Sequence, residues 1–322
     1  MRQARIKVME ETAVYHCISR VVGGQLLLDD PAKEIFRVYM WQQADFAGLQ
    51  ILTYCLMCNH THILVRVPRP GEVSDAELAD RVQALYGPDA PETLRLREGL
   101  ARGIAIPRQQ RRRLLRRMGD VSGFMKELKQ RFSRWYNEAH DRFGTLWAER
   151  FKSVLVEDNS EALRTVAAYI DLNPVRGWVV PDPKDYRYSG YGEALGGSAK
   201  ARAGLLSVIG QADWERAAAQ YRMRMYVEGG KAGESGKAVF DRAEILKVLR
   251  AGGVIGCGEA LRLRIRYFGD GLVLGSERYV NEIFQTFRSH FGPKRQTGAR
   301  KLRQLPFVEL RTLRDLKKDV VS

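Results

Sequence analysis

The pattern of apolar positions near the start of the chain indicates a small sheet and one helix. Runs of apolar and β-branched residues predict strands over residues 13–22, 50–57 and 60–67. Between the first two runs, apolar residues recur every three or four positions, which is typical of an amphipathic helix. Asp29 can cap this helix, Pro31 suits its first turn, and Gly48 ends it. The order strand, helix, strand, strand predicts an antiparallel sheet with helices packed on it, an α+β fold.

Two more helices are indicated in the middle of the chain. Ser74 and Glu77 have the spacing of a capping box, which predicts a helix to about residue 86. Residues 87–107 are rich in proline and glycine and predict a loop with short helical pieces. Over residues 121–139 apolar side chains recur at spacings of three or four, so one face of this helix belongs to the core.

A last strand through Val156 and a further helix follow. Asp158 is the predicted cap of that helix, which should stop at about Leu172 because the residue ahead of Pro174 avoids the α region. At about 100° per residue, Tyr169 lies on the flank of the apolar stripe rather than at its centre. Its ring can therefore be held by packing while its hydroxyl reaches a cleft.

The strand at 60–67 begins with a pair of histidines. His60 and His62 are two residues apart, so in an extended strand their side chains point to the same face. Two imidazoles side by side are half of a metal site, and a third ligand from elsewhere would leave open positions for substrate oxygens. The alternative is a pair of exposed strand histidines without a role.

Composition and charge narrow the class of protein. The chain has 53 lysines and arginines against 38 acids among 322 residues, a net charge of +15, and a pI near 9.8. This excess favours a polyanionic partner, most commonly nucleic acid. Four cysteines do not make a disulfide framework, and no apolar run approaches the length of a membrane span. We therefore expect a cytoplasmic protein that is neither exported nor embedded in a membrane.

Basic residues concentrate in two neighbouring segments. Six arginines fall within residues 108–117 without an acid, and the helix at 121–139 carries lysines and arginines mostly off its apolar face. Guanidinium groups bind phosphate oxygens well, although a solvated helix face is the simpler alternative. The residues that we predict to contact DNA are Arg20, Arg108, Arg111, Arg112, Arg113, Arg116, Arg117, Lys126, Lys129, Arg134, Arg150 and Lys152.

Four stretches of the chain together resemble one known family. They are residues 15–20 (YHCISR), 54–65 (YCLMCNHTHILV), 144–153 (GTLWAERFKS) and 168–178 (AYIDLNPVRGW). In this order they resemble the small single-tyrosine HUH transposases, and among them the REP-associated tyrosine transposases. The resemblance covers about residues 10 to 192 and implies a ferredoxin-like HUH core.

The resemblance also implies a chemistry. Tyr169 matches the nucleophile of the family, and His60, His62 and Asn173 match positions that would hold Mg²⁺ or Mn²⁺. A phenol is a poor nucleophile at neutral pH, since its ordinary pKa is about 10, and a bound cation lowers the cost of forming the phenolate. The implied activity is cleavage and rejoining of single-stranded DNA at hairpin-associated sites, resembling REP palindromes, through a 5′-phosphotyrosine intermediate. A protein of this kind is expected to be associated with the nucleoid.

One departure from the family pattern leaves a second kind of metal site open. The family usually has proline where this chain has Cys58, which creates the string Cys55-x-x-Cys58-x-His60-x-His62. Thiolates and imidazoles at such spacing also suggest structural zinc. Against zinc, residues 55 and 58 are an odd number apart and would point to opposite faces of a strand.

The chain divides into three predicted parts. Residues 1–195 form the transposase-like domain, residues 196–238 a linker and helix, and residues 239–322 a basic, mainly helical C-terminal extension. The extension is either a helix-turn-helix-like DNA module or a packing extension. Two alternatives to a transposase stay open: a domesticated protein that binds DNA hairpins without its own mobility, and a plain nucleic-acid binder. The protein is expected to act as a monomer or homodimer.

Overall fold

The computed structural model describes residues 6–226, 261, 264–303, 305, 307 and 309–314. In these residues the strands are β1 (Ala13–Arg20), β2 (Gln50–Leu56), β3 (His60–Val67), β4 (Lys152–Val156), β5 (Val273–Gly275), β6 (Arg300–Lys301) and β7 (Arg311–Thr312). The α-helices there are α1 (Asp30–Ala47), α2 (Asp75–Tyr86), α3 (Pro91–Ala101), α4 (Arg108–Leu115), α5 (Val121–Ala139), α6 (Ser160–Asp171), α7 (Asn173–Arg176), α8 (Gly190–Leu195), α9 (Ala199–Ile209), α10 (Trp214–Tyr226), α11 (Arg266–Asp270) and α12 (Glu277–Thr286).

The described strands form one mixed sheet in the order β2-β3-β1-β4-β5-β7-β6. Every pairing in it is antiparallel except that of β4 with β5, which is parallel. Helices pack on this sheet, so the predicted α+β fold is confirmed. The register of β1 and β3 pairs Ile18 with His62 and Arg20 with His60. Because directly opposed side chains share a face of the sheet, this register puts both histidines on the face that also carries His16.

Local capping explains why α1 begins and ends where it was predicted. The Asp29 side chain accepts a hydrogen bond from the Ala32 amide at 2.9 Å, and Pro31 stands in the first turn. Gly48 follows in the left-handed conformation with φ of 68°. A residue without Cβ adopts this conformation at little cost, so the helix ends there.

The helix that carries Tyr169 has a different cap from the predicted one. Asn159, not Asp158, accepts the hydrogen bond from the Ala162 amide, at 2.8 Å. Asp158 instead accepts from Arg66 of β3 at 2.6 Å. An adjacent cation thus competes for the carboxylate, and the helix begins one or two residues later than the sequence predicts. Along its length α6 packs on β2 and β3, which brings Tyr169 to the histidine face.

After residue 195 the described residues form four α-helices, α9 to α12, and three short strands. Residues 199–202, expected in the linker, begin α9, and α9 packs on β2. Gly204 makes this packing close, because a Cβ there would lie 2.5 Å from the Ile51 carbonyl oxygen. Helices occur toward the C-terminus as predicted, with Ser276 as the cap of α12. The short strands β5, β6 and β7 were not predicted, and the helix expected from Asp241 to Arg250 lies outside the described residues.

The described core consists of two apolar clusters. The larger one joins the sheet to α1, α5 and α6 and also includes C-terminal residues such as Phe268 and Phe284. The smaller one lies between α1, α2, α3 and α4 and includes Phe46 and Leu114. The arginine-rich helix α4 is therefore attached to the protein through its few apolar side chains, and most of its polar side chains face outward.

Candidate active site

The histidine pair of β3 has the side-by-side arrangement that its spacing predicts. The ring centroids of His60 and His62 are 5.1 Å apart, with the ring planes nearly perpendicular. His62 is buried and His60 half-buried. Both imidazoles therefore lie between the sheet and the elements packed on it, with only part of the His60 ring in contact with solvent.

Tyr169 lies next to this pair. Its ring centroid is 6.3 Å from that of His62 and 6.4 Å from that of His16, in edge-on arrangements. The tyrosine is 4% exposed, and Asn173, one turn farther along, is 7% exposed. The structure thus brings the four residues of the predicted centre, three of them buried and His60 half-buried, to one place at the end of α6.

A hydrogen-bonded chain fixes the orientation of two of the imidazoles. His16 Nδ1 lies 2.9 Å from the carbonyl oxygen of Phe268, and His16 Nε2 lies 2.8 Å from His62 Nδ1. The rings of His16 and His62 are stacked, with centroids 5.0 Å apart. A residue of the C-terminal region, 252 positions away in sequence, therefore supports an imidazole of β1, which in turn contacts the predicted metal ligand.

His60 is oriented by its neighbour in the turn before β3. His60 Nδ1 lies 2.6 Å from Asn59 Oδ1, while Asn59 Nδ2 donates to the Gly24 carbonyl at 3.3 Å. Because the asparagine oxygen can only accept, His60 Nδ1 carries the proton and its Nε2 keeps the lone pair. Asn173 Nδ2 donates to the Ile170 carbonyl at 3.0 Å, so the acceptor atom of this side chain is Oδ1.

Burial keeps all three imidazoles neutral at pH 7. Burial lowers the pKa of His16 and of His60 to about 4, and it holds the pKa of His62 well below its usual range. The positive charges of Arg20 and Arg176 lower the pKa of His60 further, whereas a hydrogen bond with Asn173 raises it. Neutral imidazoles present the lone pairs that a metal ion needs.

Arg176 is a half-buried cation that lies beside the phenol. Its Cζ lies 4.0 Å from the ring centroid of Tyr169, over the ring face. Its guanidinium donates to the carbonyl oxygens of Tyr169 and Leu261, each at 2.6 Å. Arg176 thus joins the end of α6 to the C-terminal region and sets a positive charge against the tyrosine ring.

The position of the α6 terminus depends on a buried carboxyl group, that of Asp171. It accepts from the Thr53 hydroxyl at 2.9 Å, the Tyr221 hydroxyl at 2.6 Å and the Tyr191 amide at 3.2 Å. Burial raises the pKa of Asp171 to about 7, and the three donors act in the opposite direction. These contacts join α6 to β2, α8 and α10 two residues away from Tyr169.

The donor set suits a cation only together with further anionic ligands. His60 and His62 offer nitrogen and Asn173 offers a neutral oxygen, while the nearby Arg20 and Arg176 are positive. Within the described residues no group of three or more histidine, cysteine, aspartate or glutamate side chains could hold a metal ion. Cys55 and Cys58 therefore do not complete a zinc site with the histidines. Phosphate oxygens of a bound nucleic acid would supply the missing negative charge.

Nine of the twelve residues predicted to contact DNA are exposed. These are Arg20, Arg108, Arg112, Arg113, Arg116, Lys126, Arg134, Arg150 and Lys152. Lys152 also forms an ion pair with Asp270 at 3.1 Å. The exposed set includes most of the α4 cluster, and its part in DNA binding stays a prediction.

The other three predicted DNA contacts have partners within the protein. Arg111 pairs with Asp75, and Arg117 pairs with Glu127 at 2.9 Å. Lys129 is buried, where its Nζ donates to the Glu149 carbonyl at 2.9 Å. The periodicity of α5 could not reveal this, because the acceptor of Lys129 comes from the loop before β4.

Three residues that contact the predicted centre, His16, Arg176 and Phe268, were not predicted as site residues. His16 and Arg176 lie within the stretches that carry the family resemblance. An imidazole and a guanidinium are common in active sites, so their residue types alone could have marked them as site candidates. Phe268 had no such signal. Its ring packs edge-on against Tyr169 with centroids 4.8 Å apart, and the contact depends on tertiary structure alone.

None of the helices in the described part of the chain combines the length and the apolar character needed to cross a bilayer. A scan against protein-family models found no match, and a search of curated proteins found none either. Among solved structures, the chain is similar to one described as the structure of the REP-associated tyrosine transposase bound to a REP hairpin. The two are 14% identical with a TM-score of 0.40, over 62% of this chain and 90% of the other. The function of this chain must therefore be inferred from its own residues and their geometry.

Proposed function

We propose that this protein cleaves and rejoins single-stranded DNA, with Tyr169 as the nucleophile. The observation that carries the proposal is the position of the Tyr169 ring, 6.3 Å from that of His62 at the end of a buried helix. The family resemblance of residues 54–65 and 168–178 supports it independently, because the resemblance depends on sequence alone.

The proposed reaction exchanges one phosphate ester for another. The phenolate oxygen of Tyr169 attacks the scissile phosphorus, a bond forms between them, and the 3′-oxygen leaves and takes up a proton. The products are a 5′-phosphotyrosine and a free 3′-hydroxyl. In the second step a 3′-hydroxyl attacks the same phosphorus and releases the tyrosine, so the diester is restored without a nucleotide triphosphate.

The residues around the phenol have three further proposed roles: metal binding, charge stabilisation and DNA binding. We assign His60 Nε2, His62 Nε2 and Asn173 Oδ1 as ligands of Mg²⁺ or Mn²⁺, which when bound neutralises charge on the phosphate. Arg176 stabilises negative charge on the tyrosine ring through its position over the ring face. The exposed arginines of α4 hold the DNA backbone, for which a hairpin beside the cleavage site is the expected form.

Access to the centre requires a local rearrangement. Tyr169 is 4% and His62 6% exposed, and the Phe268 ring packs edge-on against the tyrosine ring. We expect a phosphodiester to reach the phenol only after side chains packed around the tyrosine, such as Phe268, move aside. We therefore expect cleavage to be slow relative to DNA binding.

The direct test is a trapped covalent complex. The protein is incubated with Mn²⁺ and hairpin oligonucleotides with randomised single-stranded flanks, labelled at the 3′ end or the 5′ end. We expect a band that survives SDS with the 3′ label only, because the tyrosine holds the 5′ phosphate of the downstream strand. Tyr169→Phe should lose the band, and Tyr136→Phe, at a buried tyrosine of α5, should keep it. A wild-type reaction without such a band, or a band retained by Tyr169→Phe, would overturn the proposal.

A further inference from the structure

The imidazole of His16 is the one histidine at the candidate centre that the proposed chemistry leaves without a role. It projects from β1 on the same sheet face as His60 and His62, and it is fully buried. Both of its ring nitrogens have partners: Nδ1 faces the Phe268 carbonyl at 2.9 Å, and Nε2 faces His62 Nδ1 at 2.8 Å. A buried imidazole with two short contacts is held in one ring orientation.

The direction of these two hydrogen bonds follows from the chemistry of the atoms. A carbonyl oxygen only accepts, so His16 Nδ1 must carry the proton that it donates to Phe268. A neutral imidazole has one proton, and His16 Nε2 is therefore an acceptor. The proton between the two rings then belongs to His62 Nδ1, which leaves the lone pair of His62 on Nε2.

The consequence is a fixed tautomer for a residue that is assigned as a metal ligand. The Nδ1 of His62 is occupied by the bond to His16, so only Nε2 remains to bind a cation. His60 reaches the same state by a different route, through Asn59. Outer hydrogen-bond partners of this kind set both the ring orientation and the basicity of a ligating imidazole.

We propose that His16 is a positioning residue that holds His62 in the Nδ1-protonated tautomer and directs its Nε2 toward the metal and the DNA phosphate. This inference rests on the proposed function for the identity of the ligand, but the tautomer itself is a property of the protein without metal. Through the Phe268 carbonyl, the described C-terminal segment 264–270 thereby takes part in orienting His62.

Two substitutions of His16 test its hydrogen bond with His62 and its hydrogen bond with Phe268 separately. In His16→Gln the carboxamide oxygen reaches to about the position of Nε2 and can still accept from His62. In His16→Asn the shorter side chain reproduces only the Nδ1 side and can donate to Phe268, but His62 loses its acceptor. Both variants retain a polar group at the buried position, so they form a matched pair.

The first measurement is the affinity for Mn²⁺ in the presence of a hairpin oligonucleotide, followed by electron paramagnetic resonance. We expect His16→Asn to weaken Mn²⁺ binding about 10- to 100-fold, as is typical when an outer partner of a metal ligand is lost. His16→Gln should stay within about threefold of the wild type, because it preserves the acceptor. Equal affinity of the asparagine variant and the wild type, or equal loss in both variants, would contradict a positioning role.

The second measurement needs neither metal nor activity. Long-range ¹H–¹⁵N spectra of protein labelled in its five histidines report which nitrogen of His62 carries the proton, with His62→Gln used for assignment. We expect Nδ1-protonated His62 in the wild type and a mixture of tautomers in His16→Asn. An Nε2-protonated His62 in the wild type overturns the inference even if the proposed function is correct. If the wild type binds no Mn²⁺ yet shows the Nδ1 tautomer, the metal assignment is wrong, but the inference that His16 sets the tautomer of His62 is retained.

Discussion

The guanidinium of Arg176 lies over the ring of Tyr169, with Cζ 4.0 Å from the ring centroid. The same guanidinium donates to the Tyr169 carbonyl oxygen. One side chain therefore holds the backbone of the proposed nucleophile and sets a positive charge beside its ring. A cation in this position favours negative charge on the phenol oxygen, and it also closes the turn between α6 and α7.

Arg176→Met should reduce both stability and cleavage. The variant leaves two carbonyl oxygens without their charged donor, and we expect the free energy of unfolding to fall by about 2 to 4 kcal/mol. Cleavage by the protein that remains folded should fall as well, because the charge over the tyrosine ring is gone. Denaturant titration measures the first effect, and the rate of covalent-complex formation per folded molecule measures the second.

Arg164→Met provides the matched control. Arg164 also lies on α6 and donates to a backbone carbonyl, that of Ile209. Its removal should destabilise the protein without changing cleavage per folded molecule. If both variants cleave at the wild-type rate once the folded fraction is counted, Arg176 has only a structural role.

Metal binding and DNA binding should reinforce each other. Arg20 and Arg176 create a positive potential at His60, which contributes to its lowered pKa, and the same potential opposes a divalent cation. The negative charge of a bound phosphate group offsets this positive potential. We expect a non-cleavable oligonucleotide to raise the affinity of Tyr169→Phe for Mn²⁺ by about 5- to 150-fold, the usual range for coupled sites, as measured by isothermal titration calorimetry.

The contribution of the arginines can be tested without DNA. Arg20→Gln removes one exposed positive charge at the end of β1, so its affinity for Mn²⁺ in the absence of DNA should rise. Lys126→Gln removes an exposed charge from α5 and should leave that affinity unchanged. An oligonucleotide that has no effect on Mn²⁺ affinity would argue against a shared site.

The arginines of residues 108–117 should fall into two functional groups. Arg112, Arg113 and Arg116 are exposed, whereas Arg111 and Arg117 form ion pairs with Asp75 and Glu127. Changing the exposed three to glutamine should weaken binding of single-stranded DNA at low salt. The slope of log affinity against log salt should become less steep by about 2, since each contacted phosphate contributes about 0.7.

Changing the paired residues gives the opposite result. Arg111→Gln and Arg117→Gln should lower the melting temperature, because their partners lose charged hydrogen bonds, and the salt slope should stay near that of the wild type. Fluorescence anisotropy of a labelled oligonucleotide at several salt concentrations measures the slope. A similar change of slope in both groups would show that ion pairing within the protein does not separate them.

Trp178 should act as a stacking surface for a base near the cleavage site. Its side chain is 79% exposed, and its backbone has the unusual φ of +56°, five residues after Asn173. Trp178→Ala should weaken binding of single-stranded DNA by about 1 to 3 kcal/mol, the range for one stacked base, and leave the melting temperature unchanged. Phe143→Ala, at an aromatic side chain that is 89% exposed in another loop, should bind as the wild type does.

Local signals explain which parts of the fold were predictable. Asp29 and Gly48 define α1 because a cap and a left-handed glycine act over a few residues, and the two-residue spacing of His60 and His62 determines their common face in any strand. The cap of α6 was displaced to Asn159 because Arg66, distant in sequence, takes Asp158. Helix propensity depends on the local sequence alone, so it cannot predict that a distant arginine competes for Asp158.

The contacts that complete the candidate centre are long-range. Phe268 supports His16 through a backbone carbonyl, an atom that every residue possesses, so no residue type marks it. Strands β5 to β7 contain only two or three residues each and show no alternation that could be recognised. The exposure of Trp178 could not be predicted either, because a tryptophan in an aromatic segment more often takes a core position.

The central claim is that Tyr169 becomes covalently bonded to DNA, and peptide mapping tests it most directly. Trypsin should cut after Arg164 and Arg176, which yields a peptide of residues 165–176 with Tyr169 as its single tyrosine. After the trapped complex is digested with nuclease and trypsin, we expect mass spectrometry to find a nucleotide phosphate on this peptide. A nucleotide on any other peptide, or cleaved DNA without a modified 165–176 peptide, would contradict the account.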